Sequence, residues 1–203
     1  MRTFISFFAL QVFFLSSFVW GAPTAHRRQA ACADVMVVFA RGTTEVAPIG
    51  SVVGPPLQSA LASALGAAGK SLSFAGVNYP ANVQGFLAGG DPQGSQAMAN
   101  DLTNAANSCP NASLVTVGYS QGGQLVHNSA KLVSPAVSSR VKAAVIFGDP
   151  DNGAPVAGVS AANTNVVCHA GDDICAHGAL ILLPHLTYGL DADSAAAFIA
   201  SKV

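Results

Sequence analysis

Charge is scarce in this sequence. Charged residues make up 9% of its 203 positions, against 51% hydrophobic, and the formal net charge is −1. There is no basic excess of the kind that neutralises phosphates, which argues against nucleic acid as a partner. Tryptophan occurs once and aromatics reach only 7%. That leaves a thin aromatic shelf for sugars. No long apolar run follows the N-terminal one, so no integral membrane span is expected after processing. Internal repeats and a second domain are also missing. What remains is apolar enough to exclude a disordered chain and long enough for one domain with a real core.

The N-terminal run itself reads as an export signal. Arg2 precedes the apolar stretch Phe4 to Trp20, and small residues surround Gly21. This is the charged, apolar and cleavage pattern of a signal peptide, assigned to residues 1–21. His26-Arg27-Arg28 supplies a dibasic processing site, so 22–28 is read as a propeptide and 29–203 as the mature domain. Losing Arg2, Arg27 and Arg28 leaves six Lys and Arg against ten Asp and Glu, a net charge of −4. The expected location is extracellular.

Four cysteines in an exported chain should form disulfides, and three pairings are open. Cys168 and Cys175 bracket a Gly-Asp-Asp turn, which suggests a local staple and leaves Cys32 with Cys109. Asn111-Ala112-Ser113 is an N-glycosylation sequon beside Cys109.

The apolar pattern alternates between short continuous runs and helical spacing. Val35 to Ala40, Leu72 to Val77, Leu114 to Val117, Val141 to Phe147 and Asn165 to Val167 read as strands. Between them, Pro55-Pro56 open a helix with Leu57, Leu61 and Leu65 on one face. Residues 93–108 and 121–133 read as further helices. A closing helix runs over 191–202, with Asp191 as its cap. This order predicts an α/β fold, a parallel sheet of about five strands covered by helices on both faces.

The chemistry starts at Gly118-Tyr119-Ser120-Gln121-Gly122, a G-x-S-x-G pattern entered by a strand and left by a helix. That is the setting of a nucleophile elbow. An elbow serine needs a base. His127 lies seven residues on in the departing helix and cannot turn back, whereas His185 lies in an apolar loop near the C-terminus. The candidate acids between them are Asp149, Asp151, Asp172 and Asp173, the last two inside the Cys168–Cys175 bracket. A stapled loop suits a carboxylate that must orient an imidazole.

Four segments together resemble the fungal cutinases, secreted serine esterases of the α/β-hydrolase fold. They are Ala40-Arg41-Gly42-Thr43-Thr44-Glu45, the serine motif, Cys168 to Cys175, and Pro184-His185-Leu186-Thr187-Tyr188-Gly189. The resemblance spans the chain from about Cys32 onward, and no long insertion that could form a lid interrupts it. It implies Ser120 as nucleophile, Asp172 as acid and His185 as base. It places oxyanion donors at Thr43 and at the Gln121 amide, and pairs Cys32 with Cys109 and Cys168 with Cys175. Val83, Phe86, Ile181, Leu182 and Leu186 are expected to meet the acyl chain, and the serine is expected to lie open to solvent. Two departures stand out. Asp173 sits where the family usually has an apolar residue, which makes it a conceivable substitute acid. Gly123 stands where alanine is common, a change read as having little consequence.

No cofactor or metal is expected. His169, Asp172, Asp173, Cys175 and His177 are close in sequence, but an exported cysteine with a near partner favours a disulfide over a metal. The expected substrate is an insoluble polyester or lipid-like ester of the cutin type, handled by a monomer. The alternatives are an acetylxylan esterase-type deacetylase and a non-catalytic secreted surface protein.

Overall fold

The computed structural model describes residues 32–203. The signal peptide, the propeptide and the mature start at Gln29 lie outside the described residues. Five strands, β1 (Val35–Ala40), β2 (Leu72–Gly76), β3 (Ser113–Tyr119), β4 (Val141–Phe147) and β5 (Thr164–Val167), form one sheet in the order β2-β1-β3-β4-β5. Every neighbouring pair is parallel. Because side chains alternate along a strand, each strand feeds two cores. Val35, Val37, Phe39, Val115, Val117, Val145 and Phe147 face one way. Val38, Ala40, Leu114, Ala144 and Ile146 face the other.

Among the described residues six α-helices accompany the sheet: α1 (Gly54–Ala67), α2 (Val83–Leu87), α3 (Pro92–Ser108), α4 (Gln121–Leu132), α5 (Pro135–Ser138) and α6 (Ala192–Ala200). α1 starts with prolines in its first turn and buries Leu57, Leu61 and Leu65 on the first core. Full burial of each such leucine contributes about 1.5–3 kcal/mol. α6 packs on the same side through Ala195, Ala196 and Ile199. Met98 and Leu102 of α3 and Leu125 and Val126 of α4 cover the other face. α3 is capped by Asp91, whose carboxylate accepts from the Gly94 amide at 2.6 Å.

The structure departs from the sequence reading in three places. Val83 and Phe86 lie on α2, a helix absent from the sequence reading, which the Asn82 side chain caps by accepting from the Gly85 amide at 2.8 Å. The short α5, capped by Ser134, was not foreseen. Asp191 precedes α6 but makes no capping bond there. Its carboxylate faces the His169 ring instead.

Both expected disulfides are present, Cys32–Cys109 and Cys168–Cys175. Asn111 is exposed in the turn between α3 and β3. Among the described residues no helix is long and apolar enough to cross a membrane.

Candidate active site

The strands of a parallel sheet all end on one side, and their following loops meet there. β3 ends in the serine motif. Ser120 has φ 56° and ψ −123°, a strained conformation for a residue with a side chain. Its amide donates to the Phe147 carbonyl at 2.9 Å, and its carbonyl accepts from the Gly123 amide at 2.7 Å. The flanking glycines are steric necessities. A Cβ at Gly118 would lie 2.3 Å from the Gly122 carbonyl oxygen, and one at Gly122 would lie 2.0 Å from that of Ala40. Gly123 is less innocent than its sequence context implied, since a Cβ there would meet buried Ile146 Cγ2 at 2.6 Å.

β4 ends beside this turn, and the segment after β5 carries the acid and the base. His185 Nδ1 lies 2.8 Å from Asp172 Oδ2, with both side chains buried. Asp172 Oδ2 also accepts from the Tyr188 hydroxyl at 2.6 Å, and Oδ1 accepts from the Ile174 amide at 3.0 Å. Burial alone would push the Asp172 carboxyl up. The bonds from His185 and Tyr188 outweigh it, and the net shift is down. Burial, reinforced by the bond to Asp172, pushes the Tyr188 phenol well above its ordinary value, so it remains a donor. An ionised Asp172 fixes the proton of His185 on Nδ1. His185 Nε2 is buried and makes no hydrogen bond among the described residues. The ring stacks on Tyr119 with centroids 5.3 Å apart, and the Tyr119 hydroxyl donates to the His185 carbonyl at 2.8 Å.

Asp151 lies on a separate groove beside His127 and Lys131, and two further acids are occupied elsewhere. Asp173 Oδ2 accepts from the Leu180 amide at 2.8 Å. Asp149 is buried against His127, with Nε2 2.9 Å from Oδ2. Cys175 is held in its disulfide.

The loop after β1 forms the opposite wall. Buried Arg41 ties it to the exit of β2 by donating to the carbonyls of Glu45 at 2.8 Å and Tyr79 at 2.7 Å. The Glu45 carboxylate accepts from the amides of Gly42 and Ser51 at 2.8 Å and Val52 at 2.9 Å. Gln121 Nε2 donates to Thr43 Oγ1 at 3.0 Å and to the Asn82 carbonyl at 2.7 Å. With its oxygen accepting that bond, the Thr43 hydroxyl keeps its proton for another acceptor. The Gln121 amide opens α4 and has no acceptor in a preceding turn.

Between these walls lies a cleft of about 430 Å³ that reaches Thr43, Ser120 and His185. Val83, Ile181 and Leu186 line it. Phe86 and Leu182 lie outside that lining. Phe86 borders a neighbouring groove with Leu87 and Gln124, and Leu182 is 43% exposed. Val46 and Val52 line the cleft without having been foreseen. Their only signal was their place after the first strand. Ser120 is not open: it is 4% exposed, recessed at the floor of the cleft. The arrangement brings a serine, an imidazole with an unpaired nitrogen and the Thr43 hydroxyl onto one cleft.

Comparison with known proteins identifies the family. The family model for cutinase matches residues 31–203. A cutinase from Botryotinia fuckeliana is 59% identical over 181 residues, covering 89% of each chain. The structure of Trichoderma reesei cutinase bound to a phosphonate inhibitor superposes with TM-score 0.80 at 50% identity, covering 84% of this chain and 76% of that one. The catalytic core of an acetyl xylan esterase from Trichoderma reesei gives TM-score 0.66 at 27% identity, covering 85% of this chain and 100% of that one. A recessed elbow serine, a buried histidine–aspartate pair and a family match along the whole described chain lead to one assignment: this chain belongs to the cutinase family.

Proposed function

We infer that this chain is a secreted serine esterase, hydrolysing the ester bonds of cutin-type polyesters and short to medium acyl esters. The observation that carries the reading is the 2.8 Å bond from His185 Nδ1 to Asp172, which leaves a bare Nε2 in the cleft of an elbow serine. Ser120 Oγ attacks the ester carbonyl carbon while His185 Nε2 takes its proton. The carbonyl oxygen becomes an oxyanion, held by the Thr43 hydroxyl and the Gln121 amide. Collapse breaks the bond to the alcohol, which leaves with the proton from His185. Water then attacks the acyl-enzyme, gives a proton to His185 and releases the acid. Ser120 recovers its proton. Asp172 keeps the imidazole in the right tautomer and stabilises its cation.

The apolar walls at Val46, Val83, Ile181 and Leu186 support an acyl substrate. The likeness to the acetyl xylan esterase core makes deacetylation of a polysaccharide the second reading. The test is twofold. Ser120→Ala should cut turnover of a soluble ester by more than about 100-fold with an unchanged melting temperature, and block labelling by a phosphonate. A chain-length series should then favour butyrate and longer esters over acetate. A preference for acetate together with release of acetyl groups from xylan would select the second reading.

A further inference from the structure

The acid and the base come from separate segments, so their distance depends on what holds one segment to the other. Asp172 lies in the loop closed by Cys168–Cys175, and His185 lies in the short turn Leu183–Leu186. His169 sits inside the first segment and contacts the second with its whole ring. Nδ1 is 3.0 Å from the carbonyl of Pro184, the residue before His185, and 3.1 Å from Thr187 Oγ1. Nε2 is 2.7 Å from Asp191 Oδ2. The ring stacks on Tyr188 with centroids 4.1 Å apart. Its backbone joins in. The His169 amide donates to the Tyr188 hydroxyl at 2.9 Å, and its carbonyl accepts from the Asp172 amide at 3.1 Å.

We propose that His169 is a positioning residue for the ester hydrolysis inferred above, clamping the loop of the acid to the turn of the base. Two consequences follow from the bonding. The Tyr188 oxygen accepts the His169 amide proton, so its own single proton is directed at Asp172. His169 thereby aims the second donor to that carboxylate. The clamp also closes in either protonation state. A cationic ring donates from Nδ1 to Pro184 and from Nε2 to Asp191. A neutral ring with its proton on Nε2 donates it to Asp191 and accepts at Nδ1 from Thr187, whose hydroxyl otherwise donates to the Pro184 carbonyl at 2.9 Å. Asp191 is thus drawn away from capping α6 and fixed to the acid's loop.

The experiment measures kcat and KM for p-nitrophenyl butyrate in His169→Ala, His169→Asn, Asp191→Ala and Ser120→Ala, each checked for folding by circular dichroism and thermal melting. Misplacing a catalytic group by about 1 Å costs about 100-fold. His169→Ala should therefore lower kcat about 10- to 100-fold at a temperature well below its melt, with KM nearly unchanged. His169→Asn places an amide nitrogen where Nδ1 was and should restore most of kcat. Asp191→Ala removes the outer arm and should lower kcat in the same direction, and it decides the matter if His169→Ala does not fold. A folded His169→Ala variant with wild-type kcat would overturn the proposal, as would an Asp191→Ala variant with wild-type kcat where only that one folds. Ser120→Ala separates the two readings. If it stays active, the assignment of the nucleophile fails. If it is inactive while His169→Ala is fully active, only the clamp fails.

Discussion

A methyl group at position 148 would lie 2.6 Å from His185 Cε1 and 2.7 Å from Tyr188 Cε2. Gly148 also has φ +58°, a conformation that side chains resist. The end of β4 is therefore bare so that the imidazole can stand against it. Gly148→Ala should push His185 off its line to Ser120 and lower kcat by about 10- to 100-fold, by the same misplacement argument. Steady-state rates on a soluble ester check this, and full activity in a folded variant would refute it. At this scale much of the site was legible. Ser120 announced itself because the elbow demands glycines at 118 and 122. Asp172 and His185 stood out as a stapled acid and a polar ring in an apolar loop. Phe86 and Leu182 fall outside the lining of this cleft. Phe86 sits on α2, a five-residue helix fixed by the Asn82 cap and too short to read from periodicity.

At the scale of elements, the two disulfides close loops of very different length, with sequence separations of 77 and 7. Chain entropy puts the long bridge at about 4.5 kcal/mol and the short one at about 2.5 kcal/mol. The Cys32→Ser, Cys109→Ser variant should melt earlier yet stay active when cold. The Cys168→Ser, Cys175→Ser variant should melt closer to wild type but lose activity well below its melt, because the loop it frees carries Asp172 and His169. Melts and esterase rates on both variants measure the contrast. Strands and long helices were readable because each needs only its own periodicity. α2 was not. It is five residues long, and what organises it is the Asn82 cap together with the Gln121 bond to the Asn82 carbonyl. Asp191 shows the converse. Its position before a helix suggested a cap, and a ring from another segment took the carboxylate.

For the whole molecule, two buried groups contribute stability with opposite dependence on pH. Burial pushes the His127 ring down, but its bond to Asp149 and the charges of Asp149 and Asp151 lift it, for a net rise. A raised value means stability that is fully present below about pH 6.5, the unfolded value, and lost as pH rises through the folded one. Asp172 is shifted down, so its contribution is present above the unfolded value of 3.8 and lost as pH falls through the folded one. His127→Ala leaves Asp149 buried without its partner and should cost about 3–5 kcal/mol near pH 6. The gap in melting temperature from wild type should narrow as pH is raised toward 9. A gap constant from pH 5 to 9 would mean that the pair contributes no charge-dependent stability.

β3 gives the molecule a direction. The exposed turn at Asn111 precedes the strand's first residue, and Ser120 follows its last. Seven residues at about 3.3 Å each put about 23 Å of rigid sheet between them. Cargo fixed at Asn111, whether a sugar tree, a fluorophore or a resin, rides at the stern, while the cleft and the exposed side chains of Ile181 and Leu183 form the bow. Enzyme grafted to beads through Asn111→Cys should keep the soluble-ester rate of the free protein. Grafting through Leu183→Cys should turn the cleft toward the bead and slow even small substrates.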